Sequence, residues 1–404
     1  MFNPLEHQGM AVDDQLRSWR ELNVEPYDKL SIHPYSRSRI ILMNGIEVES
    51  ILFSHQFARH TDNPEVRQKL ALSRRIEAQQ QKAINWLSPG DETPLETTIG
   101  YEQVAIDLTA WLARNEPDPY IKQTFEFGLL EDFDHLYRYA NLYELIDGQR
   151  AETLTQDLTE IMPGRPTAVE HRNPLDDLRR HYDRHTVDPL SRLHVLTLVA
   201  GEQQTMNYYM NHGPDFMEPV ARGLYLEIAE IEEQHVTQYE SLMDPLESWF
   251  EQLVHHEYNE CYLYHSFMDE ETDDRLRRLW ELHLDMELGQ LRVACEMLRE
   301  HNGIEPEEIL PPQLPQPTKF QENKEYIRGV LASQIDLRAD GLDFVPVDDL
   351  GAKHRSLEYM QRVNEGGVPT EEVIDRARND GGEYRRELLG EHPVESLRAS
   401  ASAA

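Results

Sequence analysis

Two histidines of this chain each follow an acidic residue by three positions. Asp132 precedes His135, and Glu232 precedes His235. An acid and a histidine at positions i and i+3 share one face of a helix, so each pair can direct a carboxylate and an imidazole towards the same point. Carboxylate oxygen and imidazole nitrogen are ligands that suit iron and manganese. The two pairs are therefore candidate metal ligands.

A glutamate precedes the acid of each pair by 30 residues: Glu102 precedes Asp132, and Glu202 precedes Glu232. A glutamate on one helix and an acid-x-x-His motif on the next, used twice, is the ligand set of a dinuclear metal site inside a four-helix bundle. The short motif is common in a chain with 18 histidines and 75 acids, so the joint spacing carries the prediction. We expect two ions, one held by Glu102, Asp132 and His135 and the other by Glu202, Glu232 and His235.

Helix start signals precede these motifs. Asp118-Pro119 suits an N-cap followed by proline at the first helical position, and Thr93-Pro94-Leu95-Glu96 has the pattern of a capping box. Asp215 with Glu218 has the same capping-box spacing before the helix that carries Glu232. The long segments from about 41 to 302 contain few runs of β-branched residues, which predicts helices throughout.

The same 30-residue spacing occurs twice more, with glutamine in place of histidine. Glu47 precedes Glu77-x-x-Gln80, and Glu257 precedes Glu287-x-x-Gln290. The chain thus contains four predicted helical hairpins, and the first two align with the last two at an offset of 155 residues, which indicates an internal duplication. Because glutamine is a poor metal ligand, the glutamates of the outer hairpins are second-rank ligand candidates: Glu47, Glu77, Glu257 and Glu287.

Two arrangements of the hairpins could build metal sites. The first hairpin could pair with the second and the third with the fourth, which gives tandem sites with one histidine and one glutamine each. Alternatively, the second pairs with the third, which gives one central site with both histidines. A bundle of this type needs a crossover of about 30 Å between its second and third helices. The stretch near 147–188 offers one, whereas only 25 residues separate Glu77 from Glu102, so the sequence favours the central site.

The composition limits the class of partner. Acids outnumber bases 75 to 39, for a net charge of −36, and such a surface repels phosphate, so nucleic acid is not expected as a partner. No stretch approaches 18 uninterrupted apolar residues and no signal peptide is visible, so a membrane is not expected either. The only cysteines are Cys261 and Cys295, and their scarcity makes a reducing cytoplasm the expected location.

The motif set resembles the ferritin-like diiron-carboxylate superfamily, which includes ferritins, rubrerythrins, ribonucleotide reductase small subunits and diiron oxygenases. The family pattern is Glu, Glu-x-x-His, Glu, Glu-x-x-His, and the chain meets it within about residues 95–240. Asp132 departs from the pattern, because the family has glutamate there. The resemblance implies an all-α fold, a ferritin-like four-helix bundle with flanking helical hairpins, and two iron ions as cofactor, with manganese as the alternative metal.

The resemblance favours a diiron oxidoreductase or oxygenase that uses O₂ on a small organic substrate. The chain is much longer than a ferritin subunit, and it lacks the paired CxxC motifs of a full rubrerythrin. The implied partners are O₂, an unidentified small-molecule substrate and an electron donor, and a homo-oligomer is compatible with the family. Two other functions stay open, namely ferritin- or rubrerythrin-like iron oxidation or storage, and a non-catalytic helical scaffold with vestigial ligands.

The predicted domain organisation has one large helical domain between less regular ends. Its core bundle carries both histidine motifs, and a proline-rich linker separates it from a C-terminal region that metal binding should not need. The predicted parts are an irregular N-terminal segment at 1–40, the ferritin-like helical domain at 41–302 with its core bundle at about 95–240 and flanking hairpins at 41–90 and 245–302, the linker at 303–318, and short helices with a tail at 319–404.

Overall fold

The computed structural model describes residues 2–399, and most of them are helical, as the all-α prediction requires. No helix within these residues is both long enough and apolar enough to cross a membrane. The eight long helices are α1 Pro34–Arg59, α2 Pro64–Asn85, α3 Pro94–Asn115, α4 Pro119–Asp147, α5 Pro189–His212, α6 Pro219–Glu240, α7 Trp249–Glu270 and α8 Asp274–Asn302. The later elements are α9 Lys324–Gln334, an antiparallel pair of strands β1 Leu337–Asp340 and β2 Asp343–Pro346, α10 Arg355–Val363 and α11 Pro369–Asp380.

Proline opens six of the eight long helices, where the missing amide hydrogen costs nothing. The Asp118 side chain accepts hydrogen bonds from two backbone amides at the start of α4, and Thr93 with Glu96 forms the predicted capping box at the start of α3. The capping box predicted for Asp215 with Glu218 was wrong. Because Pro219 is the first residue of α6, Glu218 itself is the N-cap, and Asp215 ends a short 3₁₀ turn before it.

The chain folds into two compact units, each made of separate stretches. Unit 1 comprises residues 2–92, 181–201 and 243–319, and unit 2 comprises 93–180, 202–242 and 320–399. The first and fourth hairpins therefore lie in unit 1 and the second lies in unit 2. The third is divided, since α5 up to Gly201 belongs to unit 1 and the rest of α5 belongs with α6 to unit 2. This differs from the single helical domain with two flanking hairpins that the sequence predicted, because the outer hairpins build a unit of their own.

Unit 1 is formed by two helical hairpins, the first half of α5 and the N-terminal segment. Helix α1 packs against α2, α7 packs against α8, and the hairpins contact each other through α1 with α7 and α2 with α8. The N-terminal segment crosses α8 at Gly289, where an added Cβ would lie 1.9 Å from the carbonyl oxygen of Met10. Gln15 secures this crossing, since its side-chain amide donates to the carbonyl oxygens of Met10 and Met286 at 2.9 and 2.8 Å.

Unit 2 is built on α3, α4 and α6 together with the second half of α5. Tyr139, Tyr209 and Tyr225 pack their rings against one another in its core. After α4 the chain runs through residues 148–188 with only short helical turns, such as Glu152–Thr155. This is the stretch that the sequence analysis reserved for a crossover between the second and third hairpins.

The C-terminal segment belongs to unit 2, although the sequence predicted a separate region behind a linker. Helix α11 packs against both α4 and α6, and α9 packs against α4. Ile327 and Val373 are fully buried in the core of unit 2. Helices this short cannot bury an apolar face by themselves, so they cover it against the longer helices. The predicted boundary near 318 coincides with a unit boundary, but the segment after it is not independent.

Candidate metal centre

The six ligand candidates of the central arrangement lie together inside unit 2. Each is at most 2% exposed. Donor atoms of Asp132, Glu202, Glu232 and His235 lie within 4.8 Å of one another, and donor atoms of Glu102, His135 and Glu232 form a second group of this kind. The structure thus pairs the second hairpin with the third, and not with the first as the tandem alternative required. Asp132 joins the group of His235, whereas the sequence had assigned it to the ion of His135.

Glu232 connects the two groups through its two carboxylate oxygens. Its Oε1 lies 3.2 Å from Nδ1 of His135, and its Oε2 lies 3.2 Å from Nδ1 of His235. The two imidazole rings are stacked with their centroids 6.1 Å apart. Glu232 therefore occupies the position of a carboxylate that could bridge two ions.

The other nitrogen of each imidazole contacts a carboxylate outside the six candidates. Nε2 of His135 lies 3.1 Å from Oε2 of Glu170, and Nε2 of His235 lies 2.8 Å from Oε2 of Glu131. A carboxylate that accepts the Nε2 proton fixes the tautomer and leaves the Nδ1 lone pair directed at the centre, as in histidines that bind metals. Both imidazoles are thus oriented for coordination through Nδ1.

Two buried arginines keep Glu131 ionised. Its Oε1 lies 2.5 Å from Nη1 of Arg172 and 3.2 Å from Nη1 of Arg165. Burial raises the pKa of Glu131, but Arg172, His235 and Arg165 outweigh that effect and hold the pKa well below its usual range. The carboxylate behind His235 is therefore an anion at neutral pH.

The sequence pattern did not indicate these supporting residues. Glu170, Arg165 and Arg172 lie in the crossover, which has no helical periodicity, and Glu131 directly precedes Asp132 in an acidic run. Periodicity can show which residues share a helix face, but not which loop residues reach that face. The available signal was the concentration of arginine and glutamate in the crossover.

Several carboxylate oxygens of the centre accept no hydrogen bond within the described residues. They are Oε2 of Glu102, Oε2 of Glu202 and Oδ2 of Asp132. Burial raises the pKa of each of these three groups, and neighbouring carboxylates raise it further. A buried carboxylate without a donor is costly unless a cation compensates its charge, so the donor set fits metal ions.

The neighbouring carboxylates change the pKa values of the two imidazoles. Burial disfavours the cation, but Glu170 and Glu232 raise the pKa of His135 well above its usual value, and the carboxylates around His235 do the same there. Burial also raises the pKa of Glu232, yet both imidazoles together lower it to about 2. In the metal-free protein the Nδ1 positions therefore hold protons that a metal would replace.

Tyr209 connects the centre to a cavity within unit 2. Its hydroxyl donates a hydrogen bond of 2.5 Å to Oε1 of Glu102. The same residue lines a cavity of about 290 Å³, together with Gly213, Tyr225 and Leu226. Tyr209 therefore contacts both the cavity and a candidate ligand.

The second-rank candidates are also buried, but in unit 1. Donor atoms of Glu77, Glu257 and Glu287 lie within 4.8 Å of one another, with Glu260 as a fourth member that the sequence analysis had not selected. Glu47 is buried beside them and accepts a hydrogen bond from Tyr264. Unit 1 thus holds a carboxylate group without any histidine.

The chain matches no protein-family model, no curated protein and no solved structure.

Proposed function

We propose that unit 2 is a ferritin-like bundle that holds two iron ions, and that the protein is an oxidoreductase that uses O₂ on a small organic substrate. One observation carries the proposal: both imidazoles direct Nδ1 at the carboxylate of Glu232 while Nε2 contacts a further carboxylate. A histidine held in this way is prepared for metal binding. Manganese is the alternative metal for the same ligands.

Charge balance supports two ions. Two divalent cations would offset the four carboxylates of the ligand set, Glu102, Asp132, Glu202 and Glu232. In the metal-free protein, protons on the imidazoles and on some of the carboxyl groups supply that compensation, as the raised pKa values of His135 and His235 indicate. Loading the centre should therefore release protons, and metal should be lost as the pH falls.

Two ferrous ions held by His135, His235 and the four carboxylates would supply one electron each for the reduction of O₂, without an organic cofactor. The protein's own groups prepare the site. Glu131 and Glu170 hold the Nε2 protons and leave Nδ1 free, and Arg165 and Arg172 keep Glu131 ionised. Complete burial of the ligands excludes bulk water, which strengthens every electrostatic contact.

The cavity beside Tyr209 favours an oxidoreductase over an iron store. Its volume of about 290 Å³ lies at the lower end of the range of ligand pockets, about 300–1,000 Å³, so it suits a small molecule. Iron storage needs no such cavity. The complete burial of the ligand set also speaks against a scaffold with relic acids, since carboxylates without a role would be more stable in contact with water.

Oxygen consumption by the ferrous protein tests the proposal. We expect the wild type to oxidise two ferrous ions per chain and to form no mineral with excess iron. A His135→Gln/His235→Gln double variant should consume almost no O₂. Glutamine suits this test because the chain itself has glutamine at the corresponding positions of unit 1, Gln80 and Gln290.

His212→Gln is the matched control, since His212 lies in unit 2, is half exposed, and contacts Asp215 and the ring of Tyr208, neither of which is a candidate ligand. It should behave as the wild type does. Repeated turnover of added iron with growing mineral would show an iron store instead. A protein that holds two ferrous ions and does not react with O₂ would exclude both functions.

A further inference from the structure

Four carboxylates from three helices converge inside unit 1. Glu77 lies on α2, Glu257 and Glu260 lie on α7, and Glu287 lies on α8. One oxygen from each lies within 4.8 Å of the other three, and none of the four residues is more than 2% exposed. So close a group of buried acids requires compensation of its charge.

Most of these oxygens have no hydrogen-bond donor. Within residues 2–399, no hydrogen bond is accepted by either oxygen of Glu77, by either oxygen of Glu260 or by Oε2 of Glu257. Among the same residues, no lysine, arginine or histidine forms an ion pair with any of the four carboxylates. Unit 2 differs, because there His135 and His235 contact Glu232, and two arginines contact Glu131. The neighbours of Glu77 and Glu260 within hydrogen-bond reach are the carboxyl groups of Glu47 and Glu287, so shared protons or a cation must compensate these oxygens.

Two glutamines replace the imidazoles at this group. Gln80 donates its amide to Glu287, and Gln290 donates to the other oxygen of Glu287 at 3.2 Å and to Oε1 of Gln80 at 3.1 Å. The hydroxyl of Ser73 in turn donates to Oε1 of Gln290 at 2.9 Å. This chain fixes both amides with their nitrogens towards the carboxylates. The group therefore offers oxygen ligands alone.

We infer that unit 1 binds one hard divalent cation through the oxygens of Glu77, Glu257, Glu260 and Glu287. Oxygen-only sites suit Ca²⁺, Mn²⁺ and Mg²⁺, whereas imidazole adds affinity for iron. Oxygens on opposite sides of a Ca²⁺ ion are about 5 Å apart, and around Mg²⁺ they are about 4 Å apart. The four oxygens all lie within 4.8 Å of one another, which is compatible with the span of a Ca²⁺ ion's ligands. Mg²⁺ prefers to keep several waters and to bind one or two carboxylates, so four carboxylates favour the larger ion. We expect the order of affinity Ca²⁺ and Mn²⁺ above Mg²⁺.

A cavity within unit 1 gives the ion a path to the group. It has a volume of about 270 Å³, and its walls include Leu253, Met297 and Ser73. Glu257 and Gln290 also line it, so the cavity reaches one ligand and one of the supporting amides directly. It offers room for water molecules that would complete the coordination of the ion.

Calorimetric titration of the full chain, first freed of metal by a chelator, tests the inference with Ca²⁺, Mn²⁺ and Mg²⁺ as probes. We expect one Ca²⁺ per chain in the wild type and at least tenfold weaker binding in Glu260→Gln. The glutamine keeps the size of the side chain and removes its charge, so the variant should remain folded, as circular dichroism would verify. Glu296→Gln, at the exposed rim of the same cavity, is the control and should bind Ca²⁺ as the wild type does.

The His135→Gln/His235→Gln double variant separates this site from the iron centre. Its unit 1 is unchanged, so it should still bind one Ca²⁺ even if unit 2 binds no metal at all. Equal Ca²⁺ affinity in the wild type and Glu260→Gln would overturn the inference. Absence of Ca²⁺ and Mn²⁺ binding in the double variant would do the same, and would show that the four carboxyl groups only share protons.

Discussion

His135 and His235 each contact carboxylates at both ring nitrogens, and these contacts determine which nitrogen is available to a metal. Glu170 lies at Nε2 of His135, and Glu131 lies at Nε2 of His235. Neither glutamate belongs to the candidate ligand set. They are positioning residues, and they should act through the basicity and orientation of the imidazoles.

Replacement of Glu170 tests this role. We expect Glu170→Ala to weaken metal binding by about 100-fold, because the Nε2 proton of His135 loses its acceptor. Glu170→Gln should weaken it by only about tenfold, since the amide oxygen still accepts that proton. Titration of the metal-free protein with ferrous iron under anaerobic conditions measures both. If alanine and glutamine have equal effects, or neither has any, Glu170 does not orient the imidazole.

At the scale of single residues, sequence periodicity selected the six ligand candidates, because each acid-x-x-His pair shares a helix face. It could not identify Glu131, Glu170, Arg165 or Arg172, because their contacts cross between a helix and an irregular segment. It also failed to select Glu260, which follows Glu257 by three positions on α7. An acid-x-x-acid spacing is too common in a chain with 75 acids to be distinctive.

At the scale of elements, the crossover of unit 2 packs against α4 at Gly164. A Cβ at this position would lie 2.2 Å from the carbonyl oxygen of Leu130 and 2.6 Å from the backbone nitrogen of Asp134. The next residue, Arg165, donates its backbone N–H to Leu130 at 2.8 Å and forms the ion pair with Glu131. The close approach at Gly164 therefore sets the position of a group that supports the metal centre.

Gly164→Ala should destabilise the protein by about 1–3 kcal/mol, because the new methyl group overlaps backbone atoms that cannot move freely. Metal affinity should fall as well, since Arg165 would be displaced. Gly329→Ala is the control: nothing lies within 4 Å of a Cβ there, and the residue is on α9. That change should stabilise the helix by about 0.5–1 kcal/mol. Urea unfolding measures both, and a Gly164→Ala protein as stable as the wild type would contradict the prediction.

The sequence predicted the helices well and their partners only in part. Prolines with capping residues mark where helices begin, which is local information. The pairing of the second hairpin with the third followed from the length of the crossover at 147–188. The pairing of the first hairpin with the fourth was not predicted, because only neighbouring hairpins were compared. The second and third hairpins lie between α2 and α7 in the chain, so the connection is long enough for the first hairpin to pair with the fourth.

At the scale of the whole molecule, buried acids make the metal-free protein sensitive to pH. Burial and neighbouring carboxylates raise the pKa of Glu77 and Glu260 well above the usual range, and burial raises that of Glu287 to about 7. A carboxyl whose folded pKa exceeds its unfolded pKa favours folding at low pH, and this contribution is lost as the pH rises through the folded pKa. The raised pKa values of His135 and His235 act in the same direction.

The metal-free protein should therefore lose stability as the pH rises through about 7, the pKa of Glu287 in the folded protein. Saturating Ca²⁺ should recover part of that loss, because the ion compensates the carboxylates of unit 1. Urea midpoints with a chelator and with Ca²⁺ provide the measurement. Stability that increases as the pH rises through that pKa in the presence of chelator would contradict the account of the buried acids.

The C-terminal segment should be required for unit 2 but not for unit 1. Arg138 of α4 donates to the carbonyl oxygen of Thr370 and pairs with Glu371, both at 3.1 Å, and Val373 fills the core beside them. A chain that ends at residue 319 removes these contacts and leaves unit 1 intact. We expect it to lose iron binding and to keep Ca²⁺ binding. Full iron binding by the shortened chain would support the sequence-based expectation that this segment is dispensable.

The most direct test of the central claim is the iron content of the protein after anaerobic loading and removal of unbound metal. It compares the wild type with the His135→Gln/His235→Gln double variant, and the difference between them excludes any ion held by unit 1. We predict two more iron ions per chain in the wild type. Equal iron content in the two proteins, or none in either, would contradict a dinuclear iron centre at these histidines.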